Sequence, residues 1–194
     1  MRRVVSGLKC RTQVSSSIPE FFALFGLEPR FALDQERLTQ AYRAVIAHVH
    51  PDRYAGAGAA ERRAAVQIAS HANEAYQVLR SDSARASYLC SRHGVQVDGA
   101  GSGPMDPEFL ELQMHWRETL ADAAAGGARD AVLALAGEVS ASRATLVDEI
   151  ANSIDVRKDY AEAARSVRAL MFVEKMASEI ERIQHGEAAA SPSR

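Results

Sequence analysis

The sequence predicts an all-α protein in two parts. An N-terminal helical hairpin with short flanking helices is followed by a C-terminal antiparallel three-helix bundle. Three observations predict this. Almost every periodic segment carries its apolar residues at helical spacing, and none reads as a strand. Residues that start and stop helices stand at the ends of those segments. A stretch rich in Gly and Ser and closed by Pro, VQVDGAGSGP at 95–104, divides the chain as a linker.

The elements follow in order. A short helix is predicted over 18–25, with Ser16 or Ser17 as N-cap, Pro19 in its first turn and Gly26 as its stop. A long helix follows Asp34 as N-cap, with Glu36 in the first turn, where an acid suits the helix dipole. Leu38, Tyr42, Val45, Ile46 and Val49 form its apolar stripe. Pro51 ends it, because the residue before a proline is pushed out of the α region. RYAGAGA is a loop. The next long helix, AERRAAVQIASHANEAYQVLRS, places Val66, Ile68, Ala69, Ala72, Tyr76 and Leu79 near one face. Two long helices joined by a short loop should pack antiparallel. SDSARASYLCSRHG is a fourth, shorter helix ending at Gly94.

Beyond the linker, Asp106 as N-cap and Pro107 at the first helical position start a helix running to about Ala125. Gly126-Gly127 breaks it. A second helix covers 129–152, and a third, with Asp155 as its expected cap, runs to about Gln184. The boundaries are a disordered basic tail at 1–17, the first domain at 18–94, the linker at 95–104, the second domain at 105–185 and a disordered tail at 186–194. The first nineteen residues hold Arg2, Arg3, Lys9 and Arg11 and no acid. They lack the apolar core of a secretory signal. A mitochondrial targeting segment or a start codon placed too far upstream are the other readings of that tail.

Composition narrows the partners. The net charge of −2 lacks the basic surplus of a nucleic-acid-binding protein. Two cysteines, Cys10 and Cys90, form neither a C-x-x-C zinc pattern nor a disulfide framework, which suits a reducing compartment. No apolar run approaches the roughly 20 residues of a membrane span.

The stretch HVHPDRYAG, 48–56, gathers two histidines, a proline and an aspartate. A divalent metal on His48, His50 and Asp52 is disfavoured, since ligands two apart on a helix point to opposite sides. His71, His93, His115 and His185 are scattered singly and form no H-E-x-x-H pair. As a plain helix stop, the stretch accounts for Pro51 and Asp52 but leaves His50 unexplained.

The surroundings resolve it. Tyr42 stands eight positions before His50, ANEAYQVL follows at 72–79, and SDSARASYL at 81–89 supplies an acid-x-x-Arg-x-x-Tyr segment. In this helical frame the tripeptide resembles the J domain of DnaJ-class co-chaperones. The resemblance implies a chaperone-binding set of His50, Pro51, Asp52, Arg43 and Arg53. It also implies a DnaK-type heat-shock chaperone whose ATPase is stimulated, and no catalysis by this chain. Pro51 fixes the direction of the loop and keeps it out of the helix. Asp52 is then left as a carboxylate able to accept a bidentate arginine. The helix before the tripeptide carries only Arg37 and Arg43, fewer basic residues than J domains usually place there.

FFALFGLEPRFALD near the start and MDPEFLELQMHWRE at 105–118 resemble the HscB family, the J-type co-chaperones of iron–sulfur cluster assembly. The resemblance spans about residue 20 to about 184. It implies a J domain and a C-terminal three-helix bundle joined in an L shape. It implies as partners an iron–sulfur scaffold protein of the IscU class and a specialised chaperone of the HscA class, with no cofactor and no metal of its own. Phe109, Leu112, Trp116 and Leu120 fall within about 80° of one another on a helical wheel and form a core stripe. Leu110 and Met114 lie roughly 100–140° from Phe109, off that stripe. They are either free for a partner or packed beside the core or against the J domain. The resemblance assigns scaffold binding to Leu110, Met114 and Glu118, and to Phe172 in VRALMFVEKM. Glu111 and His115 belong to the same set, although the family tends to carry an apolar residue and an acid there. Phe172 also shares a helical face with Val173, Met176, Ile180 and Ile183, which would make it core. A J protein of the same fold serving another client is the alternative function. Abundant Ala and Arg with only three lysines point to a bacterial cytoplasm, with the mitochondrial matrix as the alternative.

Overall fold

The computed structural model describes residues 20–49, 56, 58–97, 106–126 and 129–185. Among them there are seven α-helices and no strand. α1 spans Phe21–Leu24, α2 Gln35–His48, α3 Ala59–Arg80 and α4 Asp82–Arg92. α5 spans Pro107–Gly126, α6 Arg129–Ala151 and α7 Tyr160–Gln184. The tails at 1–17 and 186–194, and linker residues 98–104, lie outside the described residues.

Local chemistry sets most of the ends. Asp34 caps α2, its carboxylate accepting from the N–H groups of Glu36 at 2.9 Å and Arg37 at 3.2 Å. Asp106 does the same for α5 through Glu108 N–H at 2.9 Å. Ser81 caps α4. Gly26 and Gly94 take φ of +63° and +78° beyond the ends of α1 and α4, a region glycine enters without steric cost.

Two expectations are corrected here. α1 begins only at Phe21, with Glu20 at its N-cap and no side-chain cap. Ser16, Ser17 and Pro19 lie outside the described residues. Asp155 does not cap the last helix. The chain leaves α6 through a π-helical turn, Asn152–Arg157, passes Lys158 at φ +56°, and α7 is capped by Asp159, whose carboxylate accepts from Glu162 N–H at 2.9 Å.

α2 and α3 form the predicted hairpin. The Tyr42 and Tyr76 rings stack across it at 4.3 Å, and Tyr42 Oη donates to Asn73 at 2.9 Å. The family-like residues around the tripeptide therefore serve first to fasten the hairpin. α3 buries Ala65, Ala72, Ala75 and Leu79. Val66 and Ile68, expected near the core face, are instead 64% and 44% exposed. The buried residues recur about seven apart, close to two full turns. Val66 lies about 100° from Ala65 and falls off that line, whereas Ile68 lies within the arc of Ala75 and Leu79 and is nonetheless exposed.

α5, α6 and α7 form the bundle. One core cluster joins Trp116, Leu120, Val132, Leu135, Val139, Phe172, Val173, Met176 and Ile180. The other cluster crosses the two halves. It joins Phe22, Phe31, Leu38, Leu79 and Leu89 of the first half to Ile150, Ile154, Val167 and Leu170 of the second. Val95 and Val97, at the start of the predicted linker, pack against this shared cluster.

Candidate functional site

Of the first predicted site the structure describes Arg43, on α2; the second lies on α5 apart from Phe172, which is on α7. His50, Pro51, Asp52 and Arg53 lie outside the described residues. Their approach is described. Val49, the C-cap of α2, is buried, with its N–H turned back to the carbonyls of Val45 and Ile46 at 3.2 Å each. His48 Nδ1 pairs with Ala44 O at 2.7 Å. Arg43 is exposed on α2, as is Arg37, about 120° away around the helix. Val49, the residue just before the tripeptide, is thus held in place.

α5 carries the second site. Its core stripe is as expected: Trp116 and Leu120 are buried, and Phe109 and Leu112 are partly buried against the bundle core. The Trp116 indole N–H reaches Glu138 on α6 at 3.1 Å, which fixes the rotation of α5. That rotation turns Leu110 and Met114 outward, and they are 44% and 71% exposed. Glu111, His115 and Glu118 are exposed around them. The pair therefore does not complete the core.

Phe172 departs from the expected surface set. It is only 6% exposed and belongs to the bundle core, edge-on to Phe109 with ring centroids 6.0 Å apart. The Arg117 guanidinium lies 5.4 Å from the ring centre. The physical reason is its helical face, shared with Val173, Met176 and Ile180, all buried. Arg117 was not singled out by the sequence. Its place one turn beyond Met114 was the available signal.

Among the described residues no group of three or more His, Cys, Asp or Glu could hold a metal ion. Nor is any described helix long and apolar enough to cross a membrane. Cys90 is buried, its thiol pointing to Tyr160 O at 3.6 Å, and burial pushes it up to about 11.

Comparison with known proteins gives this arrangement its family. The model of the HSCB C-terminal oligomerisation domain matches residues 105–181. A co-chaperone protein HscB homologue of Bordetella pertussis is 50% identical over 165 residues, covering 85% of this chain and 96% of its own. The chain belongs to the HscB co-chaperone family. An HscB homologue of Burkholderia multivorans is 46% identical over 159 residues, covering 82% of this chain and 90% of its own. The structure of HscB from Vibrio cholerae superposes with a TM-score of 0.78 at 32% identity, covering 87% of this chain and 99% of that one. Human HscB shares the fold, with a TM-score of 0.79 at 22% identity, covering 86% of this chain and 82% of that one. The L-shaped pairing of a J domain with a helical bundle is thus the family fold. Membership carries a co-chaperone role in iron–sulfur cluster biogenesis, with a chaperone-type partner.

Proposed function

We propose that the chain binds an iron–sulfur scaffold protein of the IscU class through α5. It delivers that scaffold to a specialised DnaK-type chaperone of the HscA class and stimulates the chaperone's ATPase. The observation that carries the reading is the outward pair Leu110 and Met114 on a helix whose other stripe already fills the core. An exposed apolar pair flanked by Glu111, His115 and Glu118 is built like a small interface: an adaptable centre within a polar rim.

In the sequence, the His50-Pro51-Asp52 tripeptide directly follows the buried Val49. Asp52 accepts an arginine of the chaperone, Pro51 holds the loop direction, and Arg43 and Arg53 add positive charge for an acidic face. The chain performs no chemistry itself. It holds no cofactor, and the cluster is cargo of the scaffold. Each contact can be weak, because tethering raises the effective concentration of scaffold at the chaperone. The bacterial relatives favour the bacterial cytoplasm as its location.

The test is single-turnover ATP hydrolysis by the HscA-class chaperone of the same cell, with this protein added, with and without the scaffold. The expected result is stimulation that rises further with scaffold. Absence of stimulation would overturn the J-domain reading. Stimulation indifferent to scaffold would leave the J domain standing with another client.

A further inference from the structure

Thiols and thioethers are the side chains a peroxide oxidises most readily, and this chain places them unevenly. Among the described residues they stand at Cys90, Met114, Met171 and Met176. Met1 and Met105 lie outside the described residues. Met176 is 2% exposed inside the bundle core, and Met171 is partly buried against the core shared by the two halves. Cys90 is buried, and burial pushes its thiol up to about 11, so it stays in the protonated, unreactive form. Met114 is 71% exposed. A peroxide in solution therefore meets the Met114 thioether before the other three.

Met114 also stands where oxidation has a consequence. It sits one turn after Leu110 on α5, and the two form the apolar centre of the face assigned above to the scaffold. Phe109, Leu112, Trp116 and Leu120 hold the core side of the helix, so the bundle does not use the Met114 side chain. The neighbours on the helix surface offer an added oxygen little. Glu111, three before, and Glu118, four after, are exposed carboxylates, which accept hydrogen bonds as a sulfoxide does. Arg117, three after, is a donor, but its guanidinium lies against the Phe172 ring, 5.4 Å from the ring centre. In the free chain water satisfies the new oxygen. Beneath a docked apolar surface that water is displaced, and a buried acceptor without a donor opposes binding.

We propose that Met114 is a reversible oxidation site that switches scaffold binding off. The inference rests on the function proposed above for the α5 face. The oxidant is hydrogen peroxide. A lone pair of Met114 Sδ attacks one peroxide oxygen, the O–O bond breaks and the S–O bond forms. The departing hydroxide takes the proton carried by the transferred oxygen, leaving methionine sulfoxide and water. Sulfur loses two electrons and the peroxide gains them. Methionine sulfoxide reductases run the return step, in which a dithiol becomes a disulfide and the oxygen leaves as water. The thioether is apolar and adaptable, whereas the sulfoxide is polar. Oxidant thus pauses delivery of an oxidisable cargo, and the chaperone-docking tripeptide is untouched.

The experiment treats the full chain with hydrogen peroxide, removes the peroxide and locates the added oxygen by peptide mass. Scaffold affinity, scaffold-free ATPase stimulation and melting temperature are measured on the reduced chain, the oxidised chain, and the oxidised chain after both sulfoxide reductases, one for each epimer. The expected result is oxidation of Met114 ahead of Met171 and Met176, and scaffold affinity lower by about tenfold or more. Scaffold-free stimulation and melting temperature should stay unchanged, and the reductases should restore affinity as the oxygen leaves Met114. Met114→Leu should show the same affinity before and after peroxide, whatever that affinity is. Equal affinity of the reduced and oxidised wild type, earlier oxidation of Met171 or Met176, a fall in melting temperature, or a Met114→Leu chain as peroxide-sensitive as the wild type would overturn the switch. If Met114→Leu binds too weakly to compare, the reductase step decides. Affinity that returns in step with loss of oxygen from Met114 supports the switch, and affinity that stays low overturns it. If the reduced wild type does not bind the scaffold at all, the functional reading has failed and the switch falls with it.

Discussion

The bundle fills one core entirely from α5, α6 and α7, whereas the J domain completes its core with Ile150, Ile154, Val167 and Leu170 from the bundle. α7 buries Val167, Leu170, Phe172, Val173, Met176 and Ile180, while α3 buries three alanines and one leucine. A helix lined with alanine approaches its neighbour closely but removes little apolar area from water, and stabilisation scales with that area. The J domain therefore depends on the bundle for part of its stability. In the proposed function the two halves also act differently, one through a charged tripeptide and the other through an exposed apolar pair.

The sharpest way to test this division of labour is His50→Gln. It should abolish ATPase stimulation while circular dichroism and melting temperature stay at wild-type values, since the role proposed for His50 is docking. Intact stimulation in that variant would end the chaperone-docking assignment.

Next in size are two core truncations. Trp116→Ala in the private core should cost about 3–5 kcal/mol, and Leu170→Ala in the shared core about 2–5 kcal/mol, by chemical denaturation. Amide hydrogen exchange separates them. Leu170→Ala should weaken protection in α4 and α7 together, and Trp116→Ala chiefly in α5 and α6. The same pattern for both would dissolve the distinction between private and shared cores.

Leu110→Ala with Met114→Ala should weaken scaffold binding by about tenfold or more, a loss of about 1.4 kcal/mol or more, with little change in melting temperature. A large drop in melting temperature would show that the pair supports the fold instead.

The shared core should also respond to alkali. Burial raises the Cys90 thiol from its ordinary 9.0 to about 11. Between those values the unfolded chain has released the proton and the folded chain retains it. Stability is thus complete below pH 9 and falls as pH rises toward 11, by up to about 1 kcal/mol per pH unit. Cys90→Ala should flatten that slope in denaturation curves.

The smallest effect belongs to Val66→Ser, expected within about 0.5 kcal/mol of wild type because the side chain is at the surface. A cost near that of a core residue would mean that α3 packs more fully than its alanines indicate.

Much of the fold was legible because it is written locally. Asp34 and Asp106 cap the helices they precede, Gly26 and Gly94 stop the helices before them, and the apolar stripes of α2 and α5 face the core. Capping and helical periodicity act within a few residues, so sequence neighbours suffice to read them. The outward direction of Leu110 and Met114 was also legible, since Phe109, Leu112, Trp116 and Leu120 already made a complete stripe.

Other features depended on distant partners. Val66 and Ile68 have helical spacing like core residues, yet no other element covers them and both are exposed. Phe172 satisfies both a surface and a core pattern, and Phe109 with Arg117 closes over it. Asp155 has the look of a helix cap, yet a π turn carries its carboxylate to the backbone of Phe31 and Ala32, more than a hundred residues earlier. By itself the sequence determined which segments are helices, most of their ends, and which faces are apolar. These follow from short-range sterics and hydrogen bonding. The tertiary structure decided which apolar residues are covered and which charges bridge the two halves, because burial and pairing depend on what the rest of the chain brings alongside.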